Sequence, residues 1–263
     1  MPAIHANGAR LAVDELGSGP PLVLIHGLGA NAGELWQRSL DALTPHFRVV
    51  TYDLRGSGRS EVTPGPYTIE GLADDLAALI GELGLERPAL MGHSMGGSIA
   101  LALAARDPGG VRAVVGLGAP TTFPQANRDG LEARAETVER DGMAAVAETV
   151  AGNALAPSFR QRDPDGYACF VLMIEGNDPA GYAAQCRALV GLDLTAQLQR
   201  IAAPTLLLTG DRDGVAPEAA TQATAAAIPG ARYQVVEDTA HILPFERADV
   251  VEAVALPFLL EHR

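Results

Sequence analysis

The sequence has few cysteines, little positive charge and no long hydrophobic run. Its 263 residues include only two cysteines, Cys169 and Cys186. Two are too few for a disulfide framework, so we expect free thiols in a reducing cytoplasm. The first residues form no basic, apolar leader, and no apolar run reaches the roughly 18 residues of a membrane-spanning helix. These absences predict a cytoplasmic protein that does not enter the membrane.

Basic residues are outnumbered. The chain has 19 Lys and Arg against 32 Asp and Glu, a net charge of −13. Such a surface argues against nucleic acid and anionic membranes as partners. Neither a metal-ligating cluster nor a phosphate-cradling glycine loop is evident, so no metal and no cofactor are predicted. We expect a small-molecule substrate and a monomer or small homo-oligomer.

Apolar runs alternate with helical patterns along most of the chain. Hydrophobic residues make up 48% of the sequence, so we expect a packed fold. Strands are predicted at 21–25, 48–52, 88–91, 111–117, 204–209 and 232–236, with an edge hairpin around Asn7-Gly8. Helices are predicted at 34–43, 68–83, 98–105 and 217–228, and from Phe245, where Pro257 should kink or end the helix unless its freed carbonyl finds another partner. This alternation is typical of an α/β protein with a mostly parallel sheet and helices on both faces.

The alternation breaks between residues 119 and 200. Helical pieces are predicted there at 128–140, 143–153, 167–175 and 181–192, punctuated by Pro157, Pro164 and Pro179. A connection of this length is far too long for an ordinary crossover, so it predicts a helical cap over a pocket. The expected division is a core at 1–118 and 201–263 with a cap at 119–200.

Gly92-His93-Ser94-Met95-Gly96 joins a predicted buried strand to a predicted buried helix. So abrupt a turn holds the residue at its bend in a strained conformation, and the two glycines allow the flanking backbone to approach closely. The turn would place the Ser94 hydroxyl above the sheet at the positive end of the helix. Ser94 is therefore the candidate nucleophile.

A serine nucleophile needs a base, and the base needs a carboxylate. Reactive groups of parallel sheets lie on loops beyond the carboxyl ends of the strands. Two such loops qualify: one holds Asp211 and Asp213, and the other holds His241. The resulting order of serine, aspartate and histidine is the one expected of this architecture.

Five segments together resemble the α/β-hydrolase fold family over essentially the whole chain. They are His26-Gly27-Leu28-Gly29, the segment from Asp53 to Ser60, the turn at Ser94, Gly210-x-x-Asp213 with Pro217, and His241 followed by Glu246. The resemblance implies that Asp213 is the acid rather than Asp211, which would cap a turn. It implies His241 as the base, with His26 bracing its loop, His93 pointing away from the pocket, and His5, His46 and His262 solvated.

An acyl-transfer reaction also needs two donors to the oxyanion. The backbone N–H groups of Leu28 and Met95 are the expected pair. A serine nucleophile excludes the relatives that use aspartate, such as epoxide hydrolases and dehalogenases. The resemblance thus implies a serine hydrolase that cleaves a small carboxylic ester or lactone through an acyl-enzyme.

The stretch from Asn177 to Cys186, with Asp193-Leu194, resembles 3-oxoadipate enol-lactonases, which hydrolyse an anionic lactone. Such a substrate calls for a positive group in the pocket. The predicted cap offers six arginines, of which Arg187 is nearest to this stretch: Arg128, Arg134, Arg140, Arg160, Arg162 and Arg187. Trp36 is a further candidate pocket residue, with the core as its other place. A general small-ester or lactone hydrolase, a cofactor-free haloperoxidase or perhydrolase, and a ligand receptor on a hydrolase scaffold stay open.

Overall fold

The computed structural model describes residues 3–263. Met1 and Pro2, the first two residues of the N-terminal stretch that is predicted to form no leader, lie outside the described residues. The strands are β1 (Ala3–Ala6), β2 (Ala9–Leu16), β3 (Pro21–Ile25), β4 (Arg48–Tyr52), β5 (Ala89–His93), β6 (Ala113–Leu117), β7 (Thr205–Gly210) and β8 (Arg232–Val236). The first helices are α1 (Ala32–Trp36), α2 (Leu40–Leu43), α3 (Ile69–Glu82), α4 (Met95–Arg106), α5 (Gln125–Asp141) and α6 (Ala147–Ala154). They are followed by α7 (Pro157–Arg162), α8 (Pro164–Glu175), α9 (Pro179–Val190), α10 (Glu218–Ala227), α11 (Leu243–Glu246) and α12 (Ala248–Glu261).

The strands form one sheet in the order β1-β2-β4-β3-β5-β6-β7-β8. The predicted hairpin is present, because β1 and β2 pair antiparallel around Asn7 and Gly8 at the sheet edge. From β4 onward all neighbours pair in parallel. The α/β-hydrolase fold with its mostly parallel sheet is therefore confirmed.

The direction of winding reverses between β3 and β5. The chain passes from β3 to β4 on one side and from β5 to β6 on the other, although β3 and β5 are neighbours. Right-handed crossovers then place α1 and α4 on opposite faces of the sheet. Such a switch point opens a crevice at the carboxyl ends of the strands, where ligands bind in open α/β sheets. The loops after β3 and β5 border this crevice.

Burial explains the strand assignments. Every residue of β5 and β6 is buried, as their central position in the sheet requires. On one face α3 packs against α4, and on the other α1 contacts α11 while α12 contacts α2. Helix α3 begins after Thr68, whose side chain accepts the Gly71 N–H, as predicted for its N-cap.

Five helices, α5 to α9, lie between β6 and β7. The three prolines expected as punctuation instead begin helices: Pro157 begins α7, Pro164 begins α8 and Pro179 begins α9. Proline suits a first helical position because the N–H that it lacks would have no partner there. Because Pro157 was interpreted as a break between helices, helix α7 was not predicted. The division at 118/119 and 200/201 stays a prediction.

Two other expectations differ from the structure. The helix predicted at 34–43 is broken by a 3₁₀ turn at Gln37–Ser39, which contacts α11 and α12. The final helix does not end at Pro257, since α12 continues to Glu261 with the proline inside it. In the part of the chain from residue 3 onward, none of the helices has both the length and the apolar character needed to span a membrane.

Candidate active site

Ser94 lies at the turn between β5 and α4, with φ of 52° and ψ of −119°. A non-glycine residue at such angles is strained, and the surrounding packing holds it. Its N–H donates to the Leu117 carbonyl at 2.8 Å, which ties the turn to β6. A Cβ at Gly96 would overlap the carbonyl oxygen of Ile25, so the turn requires glycine there. The strained turn predicted from the sequence is present.

The predicted base and acid meet at this serine. The Ser94 hydroxyl lies 2.8 Å from His241 Nε2, and His241 Nδ1 lies 2.9 Å from Asp213 Oδ2. This network assigns the proton of the neutral ring to Nδ1, leaving Nε2 to accept from the serine. All three side chains are buried, although 147 positions separate the serine from the histidine. The three residues thus form a continuous hydrogen-bonded chain.

The environment of Asp213 keeps its carboxylate charged. Burial alone would raise its pKa, but the adjacent His241 and the backbone N–H groups of Val215 and Ala216 outweigh burial and lower the pKa. These N–H groups donate to Oδ1 at 2.8 and 2.9 Å. A fixed anion here would stabilise an imidazolium on His241.

The rival acid and the bracing histidine are placed as expected. Asp211 accepts the Thr239 N–H at 3.0 Å and so caps the loop after β8 that contains His241, the histidine loop. It does not bond to the His241 ring. The Leu54 N–H donates to His26 Nε2 at 2.9 Å, so His26 Nδ1 donates to the Gly27 carbonyl at 2.8 Å. His26 therefore braces the loops after β3 and β4.

The His93 side chain packs against His241. Its ring lies 5.1 Å from the His241 ring, and its Nε2–H donates to the His241 carbonyl at 2.9 Å. His93 is also among the residues that border the cavity described below. Burial and the neighbouring His241 lower the pKa of His93 to about 3, so the ring stays neutral. The residues beside His93 in the sequence give no sign of this contact, because His241 lies 148 positions further along the chain.

The two predicted backbone donors flank the serine. Met95 is the first residue of α4, where helix geometry provides no intrahelical acceptor for the N–H. Leu28 lies in the loop after β3 and lines the cavity beside Ser94. The buried Asn177, between α8 and α9, donates from Nδ2 to the Gly29 carbonyl at 3.0 Å, so the connection between these helices holds this loop.

Glu246 fastens the histidine loop from the other side. Its carboxylate accepts the N–H groups of Ala240 and Ile242, at 3.3 and 3.1 Å, on either side of His241. It also accepts the Ala156 N–H at 2.8 Å, and the His241 N–H donates to the Ala154 carbonyl at 2.9 Å. The pKa of Glu246 is raised by burial, against the opposing effect of these N–H groups. The junction of α6 and α7 and the loop that contains His241 are therefore joined at two points.

A cavity of about 360 Å³ opens onto Ser94 and His241 beneath the helices between β6 and β7. Its walls are mainly apolar: Leu28, Phe123, Leu131, Val150, Phe170, Leu189, Val215 and Ile242. Its size falls in the range of small-molecule sites. The nucleophile candidate thus faces an apolar chamber large enough for a small ligand.

Neither of the two residues suggested for the substrate pocket lines this cavity. Trp36 is fully buried in the core, so the core alternative is correct. Arg187 forms ion pairs with Glu132 and Glu139, which hold its guanidinium at the outer junction of α5 and α9. The arginine that lines the cavity is Arg134 on α5.

Sequence reasoning missed three neighbours of the site. Gly118, with φ of 54°, lies so close that a Cβ there would be 2.9 Å from Asp213 Oδ2. The Tyr182 ring packs on Gly29, and its buried hydroxyl lies near the Arg134 guanidinium. Glu246 was part of a recognised motif but had no role assigned. The only sequence signal for Gly118 was its position directly after β6, because the loops that form such sites follow the ends of strands.

The sequence matches a known protein family over most of its length. The family described as alpha/beta hydrolase fold matches residues 20–248. The chain belongs to this family. The site described above therefore lies on the scaffold of this family.

Individual relatives are similar over nearly their whole length. The chain is 30% identical to 3-oxoadipate enol-lactonase 2 of Acinetobacter baylyi, over 91% of this chain and 90% of the relative. It is also 30% identical to a Yersinia enterocolitica protein named "Putative carbamate hydrolase RutD", over 91% and 87% of the two chains. The crystal structure of the enol-lactonase from Burkholderia xenovorans superposes with a TM-score of 0.94 at 33% identity, covering 98% and 100% of the two chains.

Proposed function

We propose that this alpha/beta hydrolase is a serine hydrolase that cleaves a small carboxylic ester or lactone through an acyl-enzyme. The observation that carries the proposal is the 2.8 Å contact between Ser94 Oγ and His241 Nε2 on the floor of an apolar cavity. A buried, hydrogen-bonded serine of this kind is an activated nucleophile. Its strained backbone is a further sign of a functional position.

In the proposed reaction, Ser94 Oγ attacks the substrate carbonyl while its proton passes to His241 Nε2. The carbonyl oxygen becomes an anion that accepts hydrogen bonds from the N–H groups of Leu28 and Met95. The tetrahedral intermediate collapses, the bond to the leaving oxygen breaks, and His241 returns the proton to that oxygen. Water then attacks the acyl group with His241 as base, which releases the acid and restores Ser94.

Asp213 is proposed to hold His241 in the tautomer that this cycle requires. Its lowered pKa supports this role, because the carboxylate stays ionised over the pH range in which imidazole gains and loses its proton. The cap, proposed to span 119–200, would exclude bulk water and choose the substrate. A cytoplasmic location and a monomer or small homo-oligomer also stay predictions.

A 3-oxoadipate enol-lactone is the proposed specific substrate. The support is the likeness of the Asn177–Cys186 stretch to enol-lactonases and the names of two similar proteins. The test is a panel of lactones and p-nitrophenyl esters of increasing chain length, compared by kcat/KM. A strong preference for the carboxylated enol-lactone supports the specific substrate. A smooth preference for short neutral esters rejects it but keeps the esterase, and no turnover of any member rejects both.

Replacing Glu246 with glutamine is expected to lower kcat about 10-fold, with KM little changed. A glutamine NH₂ cannot accept, so at least one N–H beside His241 loses its partner and the ring shifts; a misplacement of about 1 Å can cost about 10²-fold. The measurement is kcat and KM on one p-nitrophenyl ester, with thermal unfolding alongside.

The matched control is Glu237→Gln, because Glu237 belongs to the same loop and is exposed. It should leave both quantities within about twofold of wild type, as surface substitutions do. Equal rates for Glu246→Gln and wild type would remove Glu246 from the positioning of His241.

A further inference from the structure

Helix α5 faces the cavity along one stripe of its surface. The residues of α5 that line the cavity recur at helical spacing, three or four positions apart: Ala126, Asn127, Gly130, Leu131 and Arg134. At 3.6 residues per turn, Gly130 lies near the middle of this stripe. A side chain at position 130 would therefore be directed towards the cavity, and glycine provides none.

The space in front of Gly130 is open. A Cβ added to Gly130 would meet no atom within 4 Å, whereas a Cβ at Gly96 would overlap backbone. Gly130 lies inside α5, and its φ is outside the left-handed region that favours glycine. Glycine is less favourable than alanine within a helix. Neither the packing nor the backbone conformation therefore requires glycine at position 130.

Gly130 belongs to the opening of the cavity. Four of the described lining residues are exposed to solvent, and all four lie on α5 or α6: Ala126, Asn127, Gly130 and Asn153. None of these four residues is charged or large. The other lining residues are buried or half-buried, and most of them are apolar. A chain that is too long for the chamber would therefore reach solvent between α5 and α6.

We propose that the gap at Gly130 is an exit for the carbon chain of the substrate, so that the protein accepts esters whose unbranched chain is longer than the chamber. The inference rests on the proposed function, because it assigns a substrate class to that same site. The apolar walls favour burial of the methylene groups nearest to the ester, and the rest of the chain continues past Gly130 into water. A large side chain at position 130 would fill the gap and leave room for short chains alone. Gly130 thus determines which chain lengths are accepted.

The test uses two pairs of esters below their micellar concentrations. In the first pair, p-nitrophenyl acetate and p-nitrophenyl decanoate, the long chain is on the acyl side. In the second pair, methyl acetate and decyl acetate, it is on the alcohol side, and the release of acid is measured. Wild type should hydrolyse the long ester of at least one pair.

Gly130→Phe should lose about 10- to 100-fold in kcat/KM on that long ester, because the loss of room for a single methylene can already change this ratio 10-fold. On the short ester of the same pair, kcat/KM should change less than about threefold. The loss on the long ester should increase with side-chain size from Gly130→Ala through Gly130→Leu to Gly130→Phe. A selective loss on the decanoate assigns the exit to the acyl chain, and a selective loss on decyl acetate assigns it to the alcohol; either result supports the exit.

The matched control is Gly81→Phe on α3. Gly81 is also exposed, and a Cβ there would also meet no atom within 4 Å, but Gly81 does not line the cavity. This variant should leave the ratio of long-ester to short-ester hydrolysis unchanged. A second readout is thermal unfolding of Gly130→Ala, whose Tm should rise by about 1–4 °C because alanine favours a helix. A lowered Tm would show that packing requires this glycine, and would overturn the open gap.

Three further results would overturn the exit: no hydrolysis of either long ester by wild type, equal losses on short and long esters in Gly130→Phe, or the same selective loss in Gly81→Phe. Any of these together with loss of acetate hydrolysis in Ser94→Ala rejects the exit and keeps the hydrolase. Acetate turnover that persists in Ser94→Ala rejects the hydrolase itself.

Discussion

Replacing Ser94 with alanine is expected to lower kcat for ester hydrolysis by about 10³-fold or more. The hydroxyl is the proposed nucleophile, and alanine leaves His241 Nε2 with nothing to deprotonate. Cavity volume and the proposed backbone donors survive the change, so substrate binding should be retained. The measurement is steady-state hydrolysis of a p-nitrophenyl ester, with circular dichroism to verify the fold.

A second serine of the same helix provides the control. Ser98 lies one turn further along α4 and its hydroxyl donates to the Pro120 carbonyl at 2.6 Å, away from the histidine. Ser98→Ala should keep most of the activity while it lowers thermal stability. Retention of more than about one per cent of the wild-type rate by Ser94→Ala would show that Ser94 is not the nucleophile, given the loss that such a residue causes.

Replacing Asp213 with asparagine is expected to lower kcat by about 10³- to 10⁴-fold with little effect on the fold. The amide has nearly the same shape, but its NH₂ can face His241 Nδ1 and stabilise the tautomer that carries its proton on Nε2. That tautomer cannot accept the Ser94 proton. The loss of the negative charge also removes the stabilisation of the imidazolium. Both effects appear in kcat, measured across the pH range in which histidine titrates.

Asp211 provides a carboxylate two positions away for comparison. Asp211→Asn keeps an oxygen for the Thr239 N–H, so we expect kcat to change less than about threefold, as for a substitution outside the machinery. If instead Asp211→Asn were as inactive as Asp213→Asn, the assignment of the acid from the hydrogen bonds would fail.

The parts of the site that follow strand ends could be predicted from the sequence. Ser94, Asp213 and His241 follow the carboxyl ends of β5, β7 and β8, and the carboxyl ends of parallel strands meet at one edge of a sheet. Local chain chemistry therefore sufficed to bring three distant residues together. The glycines around Ser94 likewise predicted the turn from neighbouring residues alone.

The arginine that lines the cavity could not be predicted in the same way. Arg134 and Arg187 lie on neighbouring helices, and the rotation of α5 against α9 decides which one faces the cavity. That rotation depends on packing between segments about 50 positions apart, as the 48 positions between Glu139 and Arg187 illustrate. Nearness in sequence to the lactonase-like stretch was therefore a poor guide, and it selected the arginine that the carboxylates of α5 hold outside.

Tertiary packing also overrides local rules elsewhere. Pro257 remains inside α12, and the helix predicted at 34–43 tightens into a 3₁₀ turn where it meets α11 and α12. His93, judged from its position beside the serine, packs instead on a ring supplied by the histidine loop. For the 3₁₀ turn and for His93, the contacting residues come from a distant part of the chain.

The most direct test of the account is covalent trapping of the nucleophile with a p-nitrophenyl phosphonate. Attack by Ser94 Oγ forms a bond to phosphorus and expels p-nitrophenolate, and the stable adduct stops turnover. We predict one equivalent of p-nitrophenolate per chain, loss of activity in proportion, and the phosphonyl mass on the peptide that contains Ser94. Ser94→Ala should release no such equivalent. Continued ester turnover after complete modification, or an adduct on another residue, would contradict the account.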